Sequence, residues 1–238
     1  MDSFLKIAHR GYSSRYPENT ILAFEKAVSA GADMIELDVQ LSRDGRLVVI
    51  HDARIDRTSD GTGAVTELSL ADLKRHNYNN RMAGFGFVEI PTLAEVIAWA
   101  SDRVILNIEI KKSRTGEEGI ERKLADLLQE TRFTNRVIVS SFDHHALSEM
   151  KRIAVSVRTG MLYDSIRTRF TDEVRELGVH SVHPGTDAVE EEQLRWAKSR
   201  GIRVYPWVVE NRETLNAYCA SGYVDGAMVN DLMLFSEH

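Results

Sequence analysis

Polar and apolar positions along this chain alternate in blocks that switch between a two-residue and a 3.6-residue period. Leu5 to His9 is a short run of strand-formers, ended by Arg10-Gly11. The loop YSSRYPEN follows, and Asn19 or Thr20 caps a helix over residues 21–30 that stops at Gly31. Over residues 34–39 the period returns to two, with Ile35, Leu37 and Val39 on one face and Glu36 and Asp38 on the other. Strand, helix and strand make a βαβ unit, the building block of a parallel sheet.

A second apolar run, residues 47–50, ends in His51-Asp52, and Asp44-Gly45 sits in the turn between the two runs. The connection is far shorter than the dozen or so residues a parallel crossover needs, which predicts an antiparallel hairpin. Counting outwards from Asp44-Gly45 as a two-residue turn sets Arg43 opposite Arg46 and Asp38 opposite His51. Two carboxylates and an imidazole would then share one face. The competing reading is the wet face of an ordinary hairpin, since charged residues are mostly exposed.

Residues 53–100 break the rhythm. They hold DRTSDGTG, a short helix capped at Ser69, the irregular RHNYNNRMAGFGF, and a capping box of Thr92 and Glu95 that opens a helix to about Ala100. The stretch reads as an insertion over one end of a barrel, with a plain pair of connecting helices as the alternative. From Val104 the alternation resumes: Leu106, Ile108 and Ile110 on one face, Asn107, Glu109 and Lys111 on the other. A helix is expected over 117–130. Strands follow at 137–140, 155–161, 180–183 and 203–208, separated by helices near 144–151, 170–177, 189–199 and 212–220, and Ala227-Met228-Val229 closes the series. Leaving out the return arm of the hairpin, eight strands alternate with helices. The expected fold is therefore α/β, a single (β/α)8 TIM-barrel domain over 1–238 with an extra antiparallel hairpin arm and an insertion at about 53–100.

Composition adds bounds. A length of 238 residues suits such a barrel, and 43% hydrophobic with 28% charged residues allows a sizeable core. The formal charge of -6, with no basic run, argues against nucleic-acid binding. Cys219 is the single cysteine, so no intrachain disulfide can form. No run is apolar enough to span a membrane, and the first strand-like run starts by Leu5, which predicts no signal peptide, no stable membrane insertion and a cytoplasmic setting.

Barrel active sites lie at the carboxyl ends of the strands. His9-Arg10, Glu36 and Asp38, Glu109 and Lys111, Ser141-Phe142-Asp143, His183 and Trp207 all fall there. Glu36, Asp38 and Glu109 would repel one another in a partly buried site, and a divalent cation resolves this. All-oxygen ligation favours Mg²⁺ or Ca²⁺. A salt-bridge network with Arg10 and Lys111 is the competing reading. His144 and His145 open a helix, where a surface or capping role is expected. His183 reads as a substrate contact or a barrel-filling histidine, Trp207 as filling or a substrate platform. Phe85 and Phe87 would cover a ligand or tack the insertion down.

These residues carry a resemblance to the glycerophosphodiester phosphodiesterase family over nearly the whole chain. The matching motifs are His9-Arg10-Gly11, Pro17-Glu18-Asn19-Thr20, Gly31-Ala32-Asp33 with Ile35-Glu36-Leu37-Asp38-Val39, Asp44-Gly45, Val49-Ile50-His51-Asp52, Ile90-Pro91-Thr92-Leu93, Glu109-Ile110-Lys111 and Ser140-Ser141-Phe142. The resemblance implies a barrel with one divalent ion that hydrolyses small glycerophosphodiesters to sn-glycerol 3-phosphate and an alcohol. It implies Glu36, Asp38 and Glu109 as metal ligands, His9 and His51 as an acid–base pair, and Arg10 and Lys111 as phosphate contacts. Towards the C-terminus the match weakens. Val208-Val209-Glu210 follows Trp207 where the family often has Thr-Val-Asn, and Val229-Asn230-Asp231-Leu232 replaces Thr-Asp or Thr-Asn before a proline. Two other functions compete: a lysophospholipase D that accepts one acyl chain, and a non-catalytic phosphate-binding barrel. Retention of both His9 and His51 speaks against the latter.

Overall fold

The computed structural model describes residues 4–111 and 119–236. Its strands are β1 (Leu5–His9), β2 (Met34–Leu41), β3 (Leu47–Val49), β4 (Ile105–Ile110), β5 (Val137–Ser141), β6 (Arg158–Tyr163), β7 (Ser181–Pro184), β8 (Arg203–Val204) and β9 (Gly226–Val229). All but β3 run parallel, in the order β8-β7-β6-β5-β4-β2-β1-β9. Backbone bonds from Asp225 N to the Val204 carbonyl (3.0 Å) and from Met228 N to the Pro206 carbonyl (3.0 Å) join the two ends of that order. Eight parallel strands thus wrap into a barrel.

The helices are α1 (Ile21–Ser29), α2 (Leu70–Leu73), α3 (Leu93–Ala100), α4 (Ile120–Glu130), α5 (His144–Ile153), α6 (Phe170–Leu177), α7 (Glu191–Ser199) and α8 (Arg212–Ser221). The start of the helix expected at 117 lies outside the described residues. Alternation on β2 explains the layering. Ile35, Leu37, Val39 and Leu41 face outwards into the main core between strands and helices. Met34 points inwards to a smaller core with Ile7, Ile138, Tyr205 and Met228, which fills the barrel. Glu36 and Asp38 share that inward face further along the strand, so the same two-residue period that buries the core delivers the carboxylates to the barrel mouth.

The hairpin forms as expected, but its register differs by one residue. Leu41 pairs with Leu47, Gln40 with Val48 and Val39 with Val49, and Ile50 N donates to the Asp38 carbonyl at 3.0 Å. Asp38 is therefore opposite Ile50, with His51 next along. The cause is the turn: Ser42 N bonds the Arg46 carbonyl at 3.0 Å, leaving the three-residue loop Arg43–Asp44–Gly45 with Gly45 at φ 71°. A three-residue loop ending on a left-handed glycine is the next commonest hairpin closure after the two-residue turn.

Residues 53–100 divide into two parts. Ile55, Val65, Leu73, Tyr78 and Ile90 join Val48 and Ile50 of the hairpin arm in a separate small core. Leu93, Val96, Ile97 and Ala100 of α3 pack into the main core, and α3 opens with the expected capping box of Thr92 and Glu95. Phe85 packs edge-on against Tyr16, with ring centroids 5.8 Å apart, while Phe87 is exposed. Phe85 thus ties the segment to the barrel.

Candidate active site

Three short sequences bring the site together. The first begins where β1 ends. Arg10 and Gly11 both take left-handed backbone conformations (φ 58° and 80°), and a Cβ at Gly11 would lie 2.8 Å from the Ala23 Cβ and 2.9 Å from the Ala23 carbonyl carbon. Only glycine allows the loop to press this closely on α1. The turn brings the Arg10 amide to the Glu36 Oε2 at 3.0 Å and its Nε to the Asp38 Oδ2 at 3.4 Å. Glu18 accepts from Arg10 Nη1 at 3.0 Å, Asn19 Nδ2 donates to Asp38 Oδ2 at 2.8 Å, and Thr20 caps α1 by accepting from Ala23 N at 3.2 Å.

The second sequence is the end of the hairpin arm. Gln40, the next inward residue after Asp38, turns its Nε2 to the carbonyls of Ile50 (3.1 Å), His51 (2.8 Å) and Asp52 (2.8 Å). That clamp sets the backbone from which His51 reaches the site. The third is β4 and its exit, which place Glu109 beside Asp38 in register and put Lys111 Nζ 3.1 Å from Asp38 Oδ1 and against Glu109.

Glu36, Asp38 and Glu109 are all buried, and one carboxylate oxygen from each lies within 4.8 Å of the others. Two cationic side chains, Arg10 and Lys111, face three acids, and the distribution is uneven. Asp38 accepts from Asn19 and sits between both cations, so although burial opposes its charge, Lys111 and Arg10 pull its pKa well below the ordinary carboxylate range. Glu36 has only the Arg10 amide and His9, whose Nε2 is 3.8 Å away; burial first, then Asp38 and Glu109, push its pKa well up. Glu109 is raised to about 7, by burial and then by Asp38. A buried all-oxygen cluster with excess negative charge matches a hard divalent cation, so the residues present fit the metal site. The salt bridges to Arg10 and Lys111 exist as well, but they leave one acid uncompensated.

Each site histidine is held through Nδ1. His9 Nδ1 bonds the Asn230 Oδ1 at 2.8 Å, and His51 Nδ1 bonds the Asp52 Oδ1 at 2.6 Å. Burial, with Arg10 adding to it, lowers His9 to about 4. Burial also lowers His51, against which Asp38 and Asp52 act to favour its charged form. Both rings border a cavity of about 230 Å³ with Arg10, Glu36, Glu109 and Lys111. Its other wall is apolar, made by Phe142, Trp207, Leu162 and Met228, and Phe142 and Trp207 meet edge to face with centroids 5.5 Å apart.

Every residue singled out at the strand ends of β1, β2 and β4 and at the end of the hairpin arm therefore reaches one site. His183 does not. It is fully buried, bonds Ser181 Oγ through Nε2 at 2.8 Å and stacks edge-on against Tyr205, a barrel-filling role. His144 and His145 open α5, which Asp143 caps. Glu18, Asn19, Asp52, Arg57 and Asn230 were not assigned to the site from sequence. Glu18, Asn19 and Asp52 had a usable signal, since each lies within a quoted motif, and Asn230 a weaker one, in the C-terminal stretch where the match departs from the family pattern; Arg57 had none.

Comparison with known proteins finds relatives of the whole chain. The profile of the Glycerophosphoryl diester phosphodiesterase family matches residues 9–234. A glycerophosphodiester phosphodiesterase of Caldanaerobacter subterraneus subsp. tengcongensis is 39% identical, over 95% of this chain and 94% of the relative. Among solved structures, a phosphodiesterase of Oleispira antarctica in complex with the product sn-glycerol-3-phosphate superposes with a TM-score of 0.85 at 27% identity, covering 95% of this chain and 92% of the other. The glycerophosphodiester phosphodiesterase of Thermotoga maritima gives 0.80 at 29% identity, covering 99% and 98%. With a profile match from the first site histidine almost to the C-terminus, and relatives aligned over nearly their full length, this chain belongs to the glycerophosphoryl diester phosphodiesterase family.

Proposed function

We propose that this chain hydrolyses glycerophosphodiesters to sn-glycerol 3-phosphate and an alcohol, using one divalent cation, Mg²⁺ or Ca²⁺, held by Glu36, Asp38 and Glu109. The observation that carries the reading is the meeting of three buried carboxylates with two Nδ1-anchored histidines at one cavity. The Oleispira relative, described with sn-glycerol-3-phosphate as its product, supports the glycerol phosphate half of the substrate. When bound, the cation neutralises the acids and makes the phosphodiester more electrophilic.

The chain's own residues do the rest. Arg10 and Lys111 bind the phosphate oxygens. His9 and His51 come from different segments and flank the phosphorus, as in-line displacement demands. His9 Nε2, on a ring kept neutral by burial, takes the proton of the glycerol 2-hydroxyl, whose oxygen attacks phosphorus with the advantage of an intramolecular reaction. His51, backed by a carboxylate that stabilises its imidazolium, donates a proton to the departing alkoxide as the P–O bond breaks. The product of this step is a cyclic 1,2-phosphate. Water then opens it, with the two rings exchanging roles.

The test is a panel assay of glycerol 3-phosphate release from glycerophosphocholine, glycerophosphoethanolamine, glycerophosphoglycerol and a lysophospholipid, with and without chelator. Chelation is expected to abolish turnover, and Mg²⁺ or Ca²⁺ to restore it. Full activity after exhaustive chelation overturns the metal-dependent reading, and preferred turnover of the lysophospholipid favours a lysophospholipase D. A 2-deoxy analogue hydrolysed as fast as the natural diester would instead establish direct attack by water.

A further inference from the structure

The residues at the cavity wall leave one strongly organised group unexplained, the guanidinium of Arg57. It lies in the segment after the hairpin, outside the cavity wall. Its Nε donates to Asp52 Oδ2 at 2.7 Å and its Nη2 to Asp52 Oδ1 at 3.1 Å. Its Nη1 donates to Glu18 Oε2 at 2.7 Å and its Nη2 to Glu18 Oε1 at 2.8 Å. Every nitrogen of the fork is used, on two carboxylates that come from different segments of the chain. Asp52 in turn holds His51 Nδ1 (2.6 Å), and Glu18 holds Arg10 Nη1 (3.0 Å).

The backbone that presents Arg57 is fixed. Ile55 is fully buried in the small core, Ser59 N and Oγ both bond the Ile55 carbonyl (3.0 and 2.8 Å), and the Thr58 carbonyl accepts from Asn80 N at 3.0 Å. A guanidinium on a stiff turn, bridging the carboxylate behind a proton-transferring ring and the carboxylate behind a phosphate-binding cation, acts on both at once.

We propose that Arg57 is a positioning residue for the phosphodiester chemistry, orienting the His51 ring through Asp52 and the Arg10 guanidinium through Glu18. The proposal rests on the reading of His51 as the proton donor to the leaving alcohol. Asp52 accepts from Nδ1–H, which stabilises the imidazolium and fixes the ring plane so that Nε2–H faces the leaving oxygen. Once that proton is given up, the neutral ring keeps its remaining proton on Nδ1; Arg57 keeps Asp52 in place. Without Arg57, Asp52 turns to solvent, and His51 samples both tautomers and several ring angles.

The metal-loaded enzyme tests this with two substrates, glycerophosphocholine and the p-nitrophenyl ester of glycerol 3-phosphate. Choline leaves as an alkoxide that needs a proton, whereas p-nitrophenolate leaves without one. Outer-shell partners of this kind typically contribute about 10–100-fold to activity. Arg57→Ala and Asp52→Asn are therefore expected to lower kcat at least about tenfold on glycerophosphocholine and far less on the nitrophenyl ester, paralleling the selectivity of His51→Ala. Arg57→Ala should also raise KM on both substrates, through Arg10, and Arg57→Lys should restore only part of kcat because it keeps the charge but not the fork. Equal losses of kcat on the two substrates in Arg57→Ala, with His51→Ala still selective, overturn the proposal. If His51→Ala itself is unselective, the assignment of His51 as acid falls, and the ring ¹⁵N shifts decide on Arg57 separately. A single Nδ1–H tautomer in the parent and a mixture in Arg57→Ala and Arg57→Lys uphold it; unchanged shifts end it.

Discussion

At the residue scale, the two carboxylates of β2 sit two positions apart and yet experience opposite fields. Asp38 is surrounded by Arg10, Lys111 and the Asn19 amide, while Glu36 meets little but an amide N–H and the other acids. Replacing them separates function from folding. Glu36→Gln, Asp38→Asn and Glu109→Gln should each lose most turnover, because each removes one of the ligands proposed for the cation. In metal-free protein, however, Glu36→Gln and Glu109→Gln relieve repulsion and should leave the melting temperature unchanged or raise it. Asp38→Asn strips two buried cations of a shared counterion and should destabilise by on the order of 3 kcal/mol. Calorimetry of the three chelated variants checks the signs. His9→Ala and His51→Ala should each cost at least ~10²-fold in turnover with metal affinity retained, which titration calorimetry measures alongside the assay. The acids and histidines were legible in the sequence because a two-residue period and several ordered motifs expose them. Arg10 and Lys111 were legible as partners of the acids, but the pairing of His9 was not: His9 and Asn230 are 221 residues apart, and no local pattern encodes such a contact.

At the scale of elements, turn chemistry decided what the sequence pattern could not. Asp44-Gly45 is compatible with both a two-residue and a three-residue loop, and only the Ser42–Arg46 pairing distinguishes them. The one-residue shift means that strand pairing does not deliver His51 to the site. Gln40 does, by gathering the carbonyls of Ile50, His51 and Asp52. Gln40→Ala should accordingly lower kcat by about 10–100-fold while leaving the hairpin paired. Turnover within about twofold of the parent, measured on glycerophosphocholine with the ladder confirmed by amide exchange, would assign the placement of His51 to the β3 arm alone. Elsewhere the apolar runs gave helix and strand positions closely, since most are long and capped. Two strands differ. β6 starts at Arg158 rather than 155: Val155 is 83% exposed and belongs to the preceding turn, so its hydrophobicity misled the count. β8 ends at Val204 rather than 208, because Pro206 lacks an N–H for the ladder and Trp207 makes only an isolated bridge to Gly185. The part of residues 53–100 that precedes α3 forms a small core against the hairpin arm and reaches the site through Arg57, not through the cavity wall.

At the scale of the whole molecule, the barrel was readable by counting alternations, and no helix among the described residues is long and apolar enough to cross a membrane. The same burial that builds the barrel also links its stability to protons and metal. Glu36 and Glu109 have folded pKa values raised above the ordinary 4.5, Glu109 to about 7, so the metal-free fold holds protons that the unfolded chain releases. Their contribution is fully present below about pH 4.5 and is lost as the pH rises towards 7. The buried histidines act in the opposite sense: with His9 at about 4 and His183 at about 3, the fold gains stability as the pH rises from those values to the unfolded value near 6.5, above which the gain is complete. Melting curves of the metal-free protein alone would mix the two. From pH 5 upwards the difference between metal-loaded and chelated protein isolates the acids, because His183 lies outside the site and His9, lowered to about 4, is already neutral there. A cation must displace the protons of Glu36 and Glu109 before it binds, so its affinity rises with pH until those groups are ionised. The gap in melting temperature between the two forms, measured at fixed Mg²⁺ or Ca²⁺, should therefore widen from pH 5 to about 7 and level off above it. A gap that stays constant across that range would mean that the metal-free fold carries no such protons, and that the cation is held by something other than these three acids.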